Sequence, residues 1–379
     1  MARKSGSLDT LVADMQSEFG TESVMFANNI PKRDIVPTGS LAVDYAIGIG
    51  GIPRGCVIEV AGAEGCGKTT LVLHMVHEYL KKYPDLAVVY VDAEHRLDSN
   101  WVANFVEDRD RLIVVKPDHF EQATNMLIKA CKSKLVSALV MDSIGGTPSM
   151  AVANKDAEKG NFGGNSGAVT RFSQLAMTMG GKYKVTTIGI NQVREDMAGY
   201  QRHMTPGGRA WKHACTLRFR LKKGKGKYFE KQPDGDELQV GYTVVLQVVK
   251  NSVSAPGRSV YYWFYNLPSK KGFGIDKQEE INRLAILTGV IEKSGSMYRH
   301  PDFPGGKIRG ADSAKAYVAG NPELQDKIVA QTIEKLQAGN TKGIVKSFDL
   351  DDDDAEGMDI SAADLELTED DDEEEDQAA

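Results

Sequence analysis

The sequence predicts an α/β protein with a mostly parallel sheet and a phosphate-binding loop, on three observations. From about residue 38 to residue 268, short β-branched runs alternate with helix-length amphipathic stretches. One run leads into a glycine-rich loop ending in Lys68-Thr69. Another, Ala138-Leu-Val-Met, ends in the acid Asp142.

In chain order, Leu8, Leu11, Val12, Met15 and Phe19 are spaced for one face of a helix over residues 7–19, which Gly20 closes. Ser23-Val-Met-Phe-Ala is a strand candidate. One helix and one strand cannot build a core, so residues 1–37 are expected to dock on the next domain or on a neighbouring subunit. The core, residues 38–268, draws its parallel strands from Val57–Ala61, Ala87–Asp92, Leu112–Val115, Ala138–Asp142 and Thr186–Asn191. Thr216–Leu221 and Tyr242–Lys250 follow with a turn-rich link, Pro233-Asp-Gly-Asp, and predict an added antiparallel portion. Ser269-Lys-Lys-Gly-Phe-Gly reads as a linker to a small α/β unit, residues 269–340, with helices at Glu279–Thr288 and Glu323–Leu336. Residues 341–379 form an acidic tail too poor in apolar surface to fold, and disorder is expected there.

Charge is divided as sharply as structure. The 379 residues carry 46 Lys+Arg against 53 Asp+Glu, a net of −7. From Phe348 onward there are 17 acidic residues and no basic one, so residues 1–347 keep 46 basic against 36 acidic, a net of +10. A basic body with an anionic tail points to nucleic acid or a membrane surface. No apolar run approaches the ~18–20 residues of a transmembrane helix, and the N-terminus lacks a secretory signal. Four scattered cysteines read as thiols of a reducing compartment, and His74 with His77 lacks the partners of a metal site. The expectation is a soluble, cytoplasmic protein with no membrane contact.

Chemistry concentrates in Gly62-Ala63-Glu64-Gly65-Cys66-Gly67-Lys68-Thr69-Thr70. Glycines let backbone N–H groups turn inward onto a phosphate, and the following helix adds its positive end. Lys68 supplies a cation for β/γ oxygens, while Thr69 and Asp142 are the expected magnesium ligands, Asp142 through water. ATP and Mg²⁺ are the expected cofactors. Hydrolysis also needs a group that deprotonates water. Glu94, just past the Ala87–Asp92 run, is the candidate.

These residues together resemble a family. Thr38-Gly-Ser-Leu, Gly50-Gly-Ile-Pro-Arg-Gly, the phosphate loop, Asp92-Ala-Glu-His-Arg-Leu-Asp98, Val140-Met-Asp-Ser, Ile190-Asn-Gln192-Val-Arg194, Pro206-Gly-Gly-Arg-Ala and Val248-Val-Lys250-Asn are similar to the bacterial RecA-type recombinases, in order over about residues 8–340. The resemblance implies a RecA-type core and an ATPase that forms a helical filament on single-stranded DNA and exchanges strands with duplex DNA. It makes Glu94 the general base, Gln192 the γ-phosphate sensor and Lys250 a cation reaching the ATP of an adjacent subunit. Asp98 and Trp101 fall beside the adenine, Trp101 where the family commonly stacks a Tyr. DNA-binding loops fall at about 154–167 and 193–206, with Arg194, Met197, Tyr200, Arg202, Met204, Gly207 and Gly208 in or beside the second, and Arg171 and Lys212 as further phosphate contacts. Single-strand-binding and loader proteins fit as partners.

The pattern is departed from at Ser252, where the family usually has a second Lys, and at His213, where it has a Phe linking subunits. A hexameric helicase motor and a DNA-coating protein that barely turns over nucleotide are the competing readings.

Overall fold

The computed structural model describes residues 5–153, 165–193, 205–232 and 235–337. Two compact units divide the chain, with the break between Asp34 and Ile35. The first contains helix α1 (Ser5–Phe19), closed by Gly20 at φ +96°, whose N–H donates to the Gln16 carbonyl at 2.9 Å. Leu8, Leu11 and Phe19 along it are all more than half exposed. The strand expected at Ser23–Ala27 does not form. Residues 24–26 lack a ladder and lead into a 3₁₀ turn at Ala27–Asn29. A strand exists only against a partner, and none among the described residues pairs with this one.

The second unit opens with a two-residue ribbon, β1 (Ile35–Val36) with β2 (Ile52–Pro53), which flanks helix α2 (Leu41–Ile47). Then come β3 (Val57–Gly62), α3 (Lys68–Lys82), β4 (Ala87–Asp92), α4 (Ser99–Ala103), β5 (Leu112–Val115), α5 (Phe120–Ser133), β6 (Val136–Asp142), α6 (Met150–Ala153), α7 (Ser166–Tyr183), β7 (Thr186–Gln192) and α8 (Gly208–Ala214). Three long strands follow with a short fourth: β8 (Leu217–Lys231), β9 (Glu237–Asn251), β10 (Ser259–Ser269) and β11 (Gly272–Ile275).

All of β3 to β11 join one nine-stranded sheet in the order β11-β10-β9-β8-β3-β7-β6-β4-β5. Its β8-to-β5 portion is parallel, and β9, β10 and β11 extend it antiparallel. The period of two divides each strand between two cores. Ile58, Val60, Tyr90 and Val140 face α3 and its Leu71, Val72 and Tyr79. Val57, Val91, Leu139 and Met141 face α5, α7 and α8, where Phe120, Phe172 and Trp211 are wholly buried. Each such aromatic contributes roughly 1.5–3 kcal/mol by leaving water, which makes this a three-layer sandwich rather than a decorated sheet. At one edge β5 pairs only with β4, and its Ile113 and Val114 remain exposed.

The antiparallel portion is larger than the sequence suggests, since β8 runs on to Lys231 and β9 starts at Glu237. Ser269-Lys-Lys-Gly, expected as a linker, is instead the turn between β10 and β11, so the sheet continues to Ile275. Beyond it, α9 (Lys277–Leu287), a ribbon of β12 (Glu292–Ser294), β13 (Met297–Arg299) and β14 (Lys307–Arg309), α10 (Ala311–Ala319) and α11 (Pro322–Gln337) enclose a core around Ile281, Tyr298, Phe303, Val318 and Ile328. The ribbon and α10 were not anticipated. Helix α9 is tied back through Glu280, which accepts from Ser40 Oγ at 2.6 Å and from the Leu41 N–H at 3.1 Å at the start of α2. The acidic tail, 341–379, lies outside the described residues.

Candidate nucleotide site

The carboxyl ends of β3, β7, β6 and β4 fall in register, Gly62 beside Gln192, Asp142 beside Ile190 and Asp92 beside Asp142. Chain reversals there leave a crevice, the usual ligand position of an open α/β sheet. It is a cleft of about 190 Å³ lined by Glu64, Gly65, Lys68, Thr69, Glu94, Asp142, Ser143 and Gln192, with Arg96, Leu97 and Ile190. A larger cavity of about 470 Å³, between α2, α3, α9 and α11, holds none of the phosphate-loop, magnesium or general-base candidates. Size does not locate the chemistry; convergence of function-bearing side chains does.

The phosphate loop owes its path to glycine. Gly65 and Gly67 sit at φ +70° and +89°, which a side chain would strain. Lys68, the first residue of α3, folds back and donates to the carbonyls of Gly62 and Ala63 at 3.0 and 2.7 Å. From β9, Tyr242 reaches the crest of the loop, its hydroxyl donating to the Gly65 carbonyl at 3.1 Å. The Lys223 ammonium lies 4.9 Å from that ring's centroid.

Burial pushes the Asp142 carboxyl up to about 6, against the lowering effect of the Tyr90 hydroxyl, which donates to Oδ2 at 2.6 Å. A desolvated carboxylate gains most from a cation. With the Thr69 hydroxyl on the same cleft, the donors are hard oxygens, the set that suits Mg²⁺. Among the described residues no cluster of three or more His, Cys, Asp or Glu could hold a metal. One carboxylate and one hydroxyl fit an ion that takes its remaining ligands from phosphate and water.

Glu94 accepts a hydrogen bond from Ser143 Oγ, and Arg96 approaches its other oxygen at 3.4 Å. Gln192 ends β7, exposed in the cleft, and its N–H donates to Asn191 Oδ1 at 3.1 Å. Lys68, Thr69, Glu94, Asp142 and Gln192 thus come together. Asp98 and Trp101 do not line the cleft. Asp98 caps α4 through the Trp101 N–H at 2.8 Å, and the indole packs edge-on to Phe105 and Phe273 at 5.3 and 5.5 Å. Lys250 is also elsewhere in its own chain, donating to the Lys212 and His213 carbonyls at 2.8 and 3.0 Å, with burial holding its pKa below the usual lysine value. Ser143, Arg96 and Tyr90 are neighbours that sequence reasoning missed. Ser143 adjoins Asp142, and that adjacency was the available signal.

The model of the RecA N-terminal domain matches residues 6–265. The chain belongs to the RecA family. It is 33% identical over 351 residues to protein RecA of Thermus aquaticus, covering 90% of this chain and 98% of that one. Protein RecA of Ruminococcus albus is 31% identical over 356 residues, covering 91% and 85%. Protein RecA of Cereibacter sphaeroides is 33% identical over 337 residues, covering 86% and 94%.

Of the positions that the likeness to RecA assigns to DNA, Arg194, Met197, Tyr200, Arg202 and Met204 lie outside the described residues. Arg171 is exposed on α7, and Gly207 and Gly208, at φ +103° and +65°, turn the chain into α8, which carries Lys212. No described helix is long and apolar enough to cross a membrane.

Proposed function

We propose that this RecA-family protein is an ATP-dependent DNA recombinase, a helical filament on single-stranded DNA that pairs with homologous duplex and exchanges strands. The observation that carries the reading is the convergence of Lys68, Glu94, Asp142 and Gln192 on one cleft at the carboxyl edge of the sheet.

Lys68 exchanges its two loop carbonyls for the β and γ oxygens of ATP, a charge-for-dipole replacement that favours the bound state. The loop N–H groups and the start of α3 hold the phosphates. Thr69 and Asp142 would hold Mg²⁺, which would supply positive charge against the charge developing on the transferred phosphoryl group. Glu94 takes the proton of the attacking water, held in place by the Ser143 hydroxyl. Gln192 contacts the γ-phosphate and passes its presence to the segment that follows. Lys250 of a neighbouring subunit completes the charge, so hydrolysis depends on assembly.

Asp98 and Trp101 form the base end of the site, and the exposed apolar face of α1 docks on the neighbouring subunit. The basic body holds DNA chiefly through phosphates, with Arg171, Lys212 and the loop cations contributing. Strand exchange between circular single strands and linear homologous duplex, with ATP and Mg²⁺, tests the reading. Joint molecules are expected, and their absence while ATP hydrolysis continues would overturn it. Electron microscopy with ATP and single-stranded DNA should show helical filaments; closed rings would indicate a helicase-type motor.

A further inference from the structure

The side chain of Glu59, in the middle of β3, is wholly buried, yet it carries a carboxylate. Three donors from three different elements converge on it. Asn191 Nδ2 of β7 and Trp211 Nε1 of α8 each donate to Oε1 at 2.9 Å, and Arg218 Nε of β8 donates to Oε2 at 2.5 Å. A buried carboxylate satisfied this way is directional, because each lost donor leaves charge uncompensated.

Each donor also holds something else. Asn191 Nδ2 donates its second hydrogen to the Pro206 carbonyl at 2.8 Å, while its Oδ1 accepts the Gln192 N–H. Both amide hydrogens and the amide oxygen are therefore committed, which fixes the orientation of the group. Arg218 reaches on through Nη2 to the Thr205 hydroxyl at 3.1 Å. One carboxylate thus governs the backbone of Gln192 in the cleft and residues 205–206, where the chain enters α8. Lys250 stands opposite Arg218 across the β8–β9 ladder and holds the far end of α8 by two carbonyls. A shift of the Gln192 backbone that keeps its N–H on Asn191 Oδ1 turns the Asn191 amide, and that turn loosens the bond to Pro206 or to Glu59.

We propose that Glu59 is a positioning residue that couples occupancy of the nucleotide cleft to the DNA-facing segment, through Asn191 to Pro206 and through Arg218 to Thr205, with Trp211 orienting its carboxylate. The proposal rests on the recombinase reading above, since it requires nucleotide and DNA to bind the same chain. It predicts a loss of communication between two sites rather than a loss of either one.

The test is the affinity of the full chain for a fluorescent single-stranded oligonucleotide, measured with ADP and with a non-hydrolysable ATP analogue. Wild type should bind DNA more tightly with the analogue. Glu59→Gln, which keeps shape but removes charge, and Trp211→Phe, which keeps a ring but removes the N–H, should retain analogue affinity and lose most of the nucleotide-dependent gain, roughly tenfold within the usual span of site coupling. Thr205→Val cuts the network at its edge without disturbing the buried carboxylate, and so serves if the core variants fail to fold. Thr205→Ser, which restores the hydroxyl, should restore the gain. Variants that melt earlier but keep the full gain would make Glu59 a merely structural residue and overturn the proposal. A wild type with no nucleotide-dependent gain would remove the recombinase reading and this inference with it, an outcome distinct from variants that behave as wild type.

Discussion

Ser143 donates its hydroxyl proton to the Glu94 carboxylate, which when ionised can only accept, while the same Oγ accepts the Gly146 N–H at 3.1 Å.

Ser143→Ala should lower the turnover number of DNA-stimulated hydrolysis about tenfold, or ~1.4 kcal/mol of barrier, with KM for ATP little changed. Glu94→Gln, which removes the base itself, should lose at least roughly a hundredfold. A Cβ at Gly146 would stand 2.7 Å from Glu94 Oε1, so Gly146→Ala should resemble Ser143→Ala. Steady-state phosphate release checks all three, and unchanged turnover in Glu94→Gln would remove the assigned base.

Tyr242→Phe should weaken ATP binding severalfold and leave turnover at saturation intact. The hydroxyl braces the Gly65 carbonyl, and a bond of this kind is worth about 1 kcal/mol. Equilibrium titration with an ATP analogue measures it.

Glu280 makes stability depend on pH. Burial raises its carboxyl from 4.5 to about 8, opposed by the Ser40 hydroxyl and Arg283 and assisted by Glu279 and Asp44. Because the folded value exceeds the unfolded one, its contribution is fully present below about pH 4.5 and is lost as pH rises through about 8. Asp44, raised by burial to about 7, acts in the same sense. Urea unfolding at pH 5 and pH 8.5 should show wild type losing a few kcal/mol more between the two than Glu280→Gln does. Equal slopes in the two proteins would place the titration elsewhere.

Deleting residues 348–379 removes 17 carboxylates and no cation. If the tail competes with DNA for the basic body, the truncated protein should bind duplex more tightly, and at lower magnesium. Filter binding across a magnesium series checks both. No change in either would reduce the tail to a solubility device.

The phosphate loop, Asp142 and Glu94 were legible because each is local, an apolar strand followed by the residue its carboxyl end presents, whereas Gln192 came only from the resemblance to the RecA-type recombinases. The parallel strands were legible for the same reason. What escaped depends on pairing between distant segments. Lys222–Lys231 alternates too little for a strand read alone, yet β9 recruits it. Ser269-Lys-Lys-Gly has the composition of a linker and also of a hairpin turn, and only β11 decides between them. In the sequence Glu59 is only an acid within an apolar run. Its meaning came from Asn191, Trp211 and Arg218, more than 130 residues away in sequence.

The exposed edge of the sheet at β5 has a consequence for folding. Leu112-Ile-Val-Val is β-branched, uncharged and paired on one side only, the signature of a strand that recruits a second chain into aggregates. Its flanks answer this. Lys116 follows it, 3.9 Å from Asp92, and Arg111 precedes it, donating to the Leu80 and Tyr83 carbonyls at the end of α3 and to the Leu86 carbonyl in the loop before β4. These cations act as gatekeepers by their charge, whether or not the strand has yet paired. Replacing Lys116 and Arg111 together by uncharged residues should therefore lower the soluble yield of the newly made chain.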